Sequence, residues 1–180
     1  MAVRQDRRTK GRTPLDGDAL ERLALRYAER YATTRARLAA YLTRKLRERG
    51  WAAAGEPPVA ALVGRMAELG YVDDRAFALA KGASLGRRGY GERRVGAALR
   101  AAGVAEEDGA EARDAARDGA WAAALRFAEK RGIGPFAAEI ADREGREKAL
   151  AKMLRAGHPL DLARRLAAAR PGEVPEVDDA

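Results

Sequence analysis

Two adjacent carboxylates, Asp73 and Asp74, and a single histidine, His158, are the residues in this chain of 180 that invite a metal-binding or acid–base reading. Paired acids hold Mg²⁺ or exchange protons when both point into one site. Here they lie in GYVDDRAFALAK, at the start of a helical stretch, and sequence neighbours point in different directions on a helix. Capping accounts for them better: one of the two accepts from the free backbone N–H groups of the first turn, where its charge also favours the positive end of the helix dipole. His158 stands between Gly157 and Pro159 with no second histidine and no cysteine to complete a metal site, so a structural or exposed role is expected of it.

The glycine-rich stretches do not supply a phosphate loop. GYGERRVG contains a G-x-G, yet no strand precedes it and the next glycine is misplaced for a dinucleotide fingerprint. A turn at Gly89–Tyr90–Gly91 leading into a helix Glu92–Ala102 is the better reading. KRGIGPF, Lys130–Phe136, reads as a helix break punctuated by glycine and proline. No catalytic residue, metal or cofactor is assigned.

Cationic side chains carry more information. Lys and Arg number 35 against 27 acids, giving a formal net charge of +8, a balance suited to a polyanion or an acidic protein surface. Three clusters stand out, at Arg35, Arg37, Arg44, Lys45, Arg47 and Arg49; at Arg87, Arg88, Arg93, Arg94 and Arg100; and at Arg143, Arg146, Lys148, Lys152 and Arg155. They do not all share one helical face, and some are expected to pair with nearby glutamates. Arg44, Arg47, Arg93, Arg94, Lys148 and Lys152 are the positions assigned to binding. Aromatic residues are only 6% of the chain and mostly fall in apolar stripes, with Tyr90 the best candidate for exposure. Recognition of a backbone or a shape is therefore expected rather than base readout.

These clusters recur because the elements that hold them recur. LAAYLTRKLRERGW, ERRVGAALRAAGV and REKALAKMLRAGH each end a helical stretch at a glycine, Gly50, Gly103 and Gly157, at intervals of 53 and 54 residues. In each unit a first helix follows an aspartate (Asp16 or Asp18, then Asp73 or Asp74, then Asp118), the basic second helix stops at the glycine, and a third follows near Pro58–Leu69, Glu106–Asp114 and Pro159–Ala169. Apolar residues fall on helical stripes, among them Leu20, Leu23, Tyr27 and Tyr31, then Leu38, Leu42 and Leu46, and in the third unit Ile140, Leu150 and Leu154. Ala, Leu, Arg and Glu dominate and no strand is convincing. The expected fold is all-α, tandem three-helix repeats stacked into an elongated, curved right-handed-type array, because units of this size bury little surface alone.

The expected organisation is a flexible basic tail at 1–14, repeat 1 over 15–57 with its third helix opening the stretch 58–117 that also holds repeat 2, repeat 3 over 118–169, and an acidic tail at 170–180. No apolar run reaches the roughly 20 residues of a membrane span, nothing reads as a signal peptide and there is no cysteine, so a cytoplasmic protein without membrane association is expected.

GYVDDRAFA at Gly70–Ala78, followed by RRGYGERRVGAALRAAGV at Arg87–Val104, resembles the RecX family of recombination regulators. The positions that carry the likeness are Gly70, Tyr71, Val72, Asp73, Asp74 and Phe77, then Gly89, Leu99 and Gly103, and the resemblance extends from about Leu15 to Ala169. The third copy departs from the family pattern, with His158 where an aromatic usually follows the glycine. The resemblance implies a non-enzymatic regulator that binds RecA and its filament on single-stranded DNA and suppresses its ATPase, strand-exchange and coprotease activities. Binding of single- and double-stranded DNA without sequence preference, and a monomeric state, are expected with it. The motif residues are expected to be scaffold, with Phe77 buried and its truncation to Ala costing about 3–5 kcal/mol. The alternative is a general DNA-binding module of helix-turn-helix type without RecA specificity, centred on Glu92–Ala102; against it, that helix offers arginine and alanine where base readers carry Asn, Gln or Ser as well.

Overall fold

A computed structural model describes residues 13–176, and every described regular element is helical. The basic segment 1–14 falls mostly outside that range, as do Asp178 and Asp179 of the acidic end. The helices are α1 (Gly17–Arg30), α2 (Arg35–Arg49), α3 (Val59–Glu68), α4 (Asp74–Arg87), α5 (Glu92–Ala101), α6 (Ala110–Asp118), α7 (Ala120–Arg131), α8 (Arg143–Arg155) and α9 (Leu160–Ala168), with a 3-10 turn at Gly134–Phe136. The chain divides into two compact units, Met1–Phe77 and Ala78–Ala180, the division falling inside α4.

Unit 1 is closed by large aliphatic side chains. Leu15, Leu20, Leu38, Leu42 and Met66 have no exposed surface and, with Ala24, Leu62, Val63 and Val72, form one core between α1, α2 and α3. Asp16 begins α1, its carboxylate accepting from the amide of Ala19 at 2.8 Å, and Thr34 does the same for α2 through Arg37. The segment before α1 is fixed by a two-residue bridge: Leu15 N–H donates to Gly50 O and Ala52 N–H to Leu15 O.

Unit 2 is built from smaller pieces. Its second core gathers Ala124, Phe127, Ala128, Ile133, Met153, Ala156, Ala163 and Leu166. Leu85, Val95, Leu99 and Ala112 are buried beside α4, α5 and α6, where a Cβ added to Gly82 would already touch Ala112 and Val95 at 3.5 Å. Helices in this unit meet through backbone. Gly91 N–H donates to Ala156 O at 3.0 Å and Arg93 N–H to Gly157 O at 3.2 Å, so the C-terminal end of α8 satisfies the free donors at the start of α5.

The three glycines that mark the repeat, Gly50, Gly103 and Gly157, all have positive φ, at 84°, 71° and 93°. A helix does open after Asp118: Asp118 ends α6 and α7 starts after Gly119, without a side-chain cap. Three expectations need correction. The third helix of the second triplet begins at Ala110 rather than Glu106, because residues 106–109 turn before it. Ile140 sits in the connection before α8, 71% exposed, and packs in no stripe. Phe77 is half-buried under the Arg37 guanidinium, 5.2 Å from its ring centroid, so the truncation cost of a core phenylalanine overstates its role.

Candidate functional site

The two aspartates of GYVDDRAF do different jobs. Asp73 caps its own helix, accepting from Ala76 N–H at 2.8 Å. Asp74 is buried and reaches another helix: its Oδ1 accepts from Arg35 N–H at 2.8 Å, at the start of α2, and its Oδ2 lies 3.4 Å from Arg35 Nε. A carboxylate on a helix N-terminus meets both free donors and the positive dipole end. Neither acid faces a shared cation position, and among the described residues no three His, Asp or Glu side chains form a metal-holding group.

His158 is fully buried in unit 2. Its Nε2 lies 3.1 Å from Gly89 O, its ring tilts against Phe127 at 5.4 Å between centroids, and its Nδ1 has no hydrogen-bond partner among the described residues. Burial pushes its pKa below the ordinary imidazole value, only partly countered by the bond to Gly89 O. It is a neutral tie between the Gly89 turn and the α8–α9 junction. Gly89 itself lies against the α7 backbone, where an added Cβ would stand 2.9 Å from Phe127 N.

The basic positions split into fold-holding and exposed sets. Arg35 holds Asp74, and Arg49 donates to Thr13 O at 2.9 and 2.7 Å. Arg44, Arg47, Arg93, Arg94, Lys148 and Lys152 are all exposed. Lys148 is paired with Glu144 at 2.5 Å and Arg44 stands 3.8 Å from Glu48, exposed pairs that hold little energy and release easily. Within unit 2 the α5–α8 junction brings Arg93 and Arg94 to the end of the helix that carries Lys152. Tyr90 is half-buried against the core rather than the exposed platform expected, with the guanidiniums of Arg88 and Arg94 at 5.1 and 5.7 Å from its ring centroid.

Exposed aromatic surface lies instead in unit 1. An open groove of about 430 Å³ between α1 and α2 has Tyr27, Tyr31 and Tyr41 in its wall. Tyr27 stacks on Tyr41 with centroids 4.2 Å apart and planes 16° apart, and Tyr31 tilts against Tyr27 at 5.2 Å. Leu23, Arg26, Arg30, Arg44 and Lys45 complete the lining, and no carboxylate of the described residues lines it. Arg30 sits 5.5 Å from the Tyr31 centroid and Arg44 and Lys45 at 5.5 and 5.8 Å from that of Tyr41. Cation–ring contacts of this kind are worth about 0.5–1 kcal/mol at exposed sites. Sequence alone puts Tyr27 and Tyr31 in an apolar stripe and gives Tyr41 no role. The signal it does hold is the four-residue spacing of the first two and the basic neighbours of the third.

Among the described residues every regular element is helical, α2, α5 and α8 carry exposed cations, and no described helix is long and apolar enough to cross a membrane. No protein-family model matches the chain. It is 34% identical over 163 residues to the regulatory protein RecX of Myxococcus xanthus (strain DK1622), covering 84% of this chain and 86% of that protein, and it belongs to the RecX family. Its fold is similar to that in the crystal structure of RecX from Lactobacillus salivarius, with a TM-score of 0.59 at 15% identity over 81% of this chain and 90% of that one.

Proposed function

We propose that the protein regulates RecA, binding RecA and its filament on single-stranded DNA and inhibiting recombinase, ATPase and coprotease activities without chemistry of its own. The observation that carries this reading is the 34% identity to a regulatory RecX protein over most of both chains. Supporting it, α2, α5 and α8 each expose cations, Arg44 and Arg47, Arg93 and Arg94, Lys148 and Lys152, of which Arg94 and Lys148 stand at equivalent distances from their glycines. Repeats over 15–57 with 58–69, then to 117, and 118–169 would present those cations at intervals to a polymer of identical subunits and its phosphates. The protein acts as a monomer, in the cytoplasm, and binds DNA without a consensus sequence.

The test adds purified protein to preformed RecA filaments on single-stranded DNA and follows ATP hydrolysis at several ratios. Inhibition below one molecule per RecA supports the reading; unchanged hydrolysis with folded protein and intact filaments rejects it. Charge reversal at Arg93 and Arg94 should weaken inhibition and flatten the salt dependence of DNA binding, by about 0.7 in log K per log salt for each phosphate left unneutralised on single strands. If inhibition and slope both survive the double reversal, these arginines touch neither RecA nor DNA.

A further inference from the structure

We infer that the groove between α1 and α2 is a stacking site for unpaired bases of a single-stranded nucleic acid. The inference rests on the DNA-associated reading above and gives it a location in unit 1. Three tyrosines from two helices converge there, with Tyr27 flat on Tyr41 and Tyr31 at the rim. Tyr31 is 49% exposed, a ring surface left open rather than used in the core. Tyrosine suits a face of this kind, since its ring is apolar and its hydroxyl stays wet.

Charge selects the occupant. Arg26, Arg30, Arg44 and Lys45 surround the rings with no acid of the described residues in the lining, so the guest is anionic as well as flat. Glu48 stands beside two of these cations, 2.7 Å from Lys45 and 3.8 Å from Arg44, in exposed pairs that release easily to a stronger anion. An anionic polymer whose repeating unit carries both a phosphate and an aromatic face meets both demands. Duplex DNA does not, because its bases are stacked on each other and a tyrosine reaches only a splayed base. At about 430 Å³ the groove falls in the usual range of small-ligand sites, roughly 300–1,000 Å³, and is far too small for a duplex.

Tyr31 makes the clean variant because its side chain is exposed. Binding of the full-length protein to labelled oligothymidylate, without RecA, should weaken about five-fold or more in Tyr31→Ala and be restored in Tyr31→Phe, with thermal melting by circular dichroism unchanged. Arg26→Ala with Arg30→Ala should lower the salt slope by roughly 1.4. An abasic oligomer of equal length should bind wild type and Tyr31→Ala alike. Equal oligothymidylate affinity of wild type and Tyr31→Ala overturns the inference, and so does the same Tyr31-dependent loss on the abasic strand. Tighter, Tyr31-dependent binding of a polyglutamate peptide also overturns it, by assigning the groove to an acidic protein segment. RecA ATP hydrolysis measured in parallel separates the two readings: inhibition retained while the oligonucleotide arm fails leaves the regulator standing, whereas Tyr31-dependent binding without inhibition leaves the groove standing.

Discussion

Unit 1 and unit 2 solve the same problem, three or more short helices around a core, with different helix contacts. Unit 1 fills its interior mainly with leucine, with Met66 and Val63 beside it, and carries an aromatic groove between α1 and α2. Unit 2 mixes alanine with Phe127, Ile133, Met153 and Leu166, and its helices touch backbone to backbone at Gly91, Gly157 and Gly89. Both contain glycines with positive φ, but only in unit 2 do these sit against a neighbouring chain segment. A side-chain core relaxes around a change, whereas a backbone junction has nothing soft to move.

Alanine at Gly157 should expose this difference most severely. There φ is +93°, and a Cβ would stand 2.5 Å from Arg94 N and 2.8 Å from Arg94 Cβ. Backbone strain and overlap act together, and we expect a loss of about 4 kcal/mol or more in denaturant unfolding. Gly70→Ala in unit 1 is the control: φ is +76°, nothing lies within 4 Å, and the conformational cost alone predicts about 1–2 kcal/mol. Equal losses at the two positions would show that the backbone junction contributes nothing beyond φ.

The same difference marks what is legible in the sequence. The period of the glycines and the helical stripes follow from local rules, and so does Asp16 at the start of α1. Local rules say less where alanine runs on: between Ala110 and Arg131 only Gly119 separates two helices, and Asp118, which precedes the second, is the last residue of the first. The groove is illegible for another reason. A stripe such as Tyr27 and Tyr31 says which face of α1 is apolar, but whether that face is covered depends on where α2 places Tyr41. Asp74 is a similar case, since nothing in GYVDDRAF reveals that the second acid belongs to the start of a helix 39 residues earlier.

Asp74 separates the units at an intermediate scale. Unit 1 starts α2 with a side-chain carboxylate where unit 2 starts α5 with the carbonyls of α8. Asp74→Ala leaves Arg35 N–H without its acceptor and should cost about 2 kcal/mol. Asp74→Asn keeps an oxygen acceptor and loses the charge on Arg35, and about 1 kcal/mol is expected. Melting of the two variants separates the hydrogen bond from the charge. If Asn is as damaging as Ala, the ion pair with Arg35 dominates and capping does not.

His158 gives the smallest effect and the one that depends on conditions. Its Nε2 donates to Gly89 O, which leaves Nδ1 as a buried acceptor without a donor. Protonating Nδ1 would place a charge and an unpaired N–H among Phe127 and its neighbours, so the folded-state pKa lies below the ordinary 6.5. The unfolded chain, with the ordinary value, binds its proton first as pH falls. Stability is therefore complete above about pH 6.5 and declines below it, down to the folded-state pKa, with a slope of at most about 1.4 kcal/mol per pH unit. By pH 5.5 the loss is at most about 1.4 kcal/mol. His158→Phe keeps a ring against Phe127, gives up the bond to Gly89 and removes the orphan nitrogen, so it should unfold within about 1 kcal/mol of wild type at pH 7.5. Urea unfolding of both proteins between pH 5.5 and 7.5 tests the assignment to unit 2: the wild-type curve should fall away from the variant below pH 6.5. Parallel curves would mean that the histidine charges without penalty, and that the Gly89–Gly157 junction is open enough to admit water.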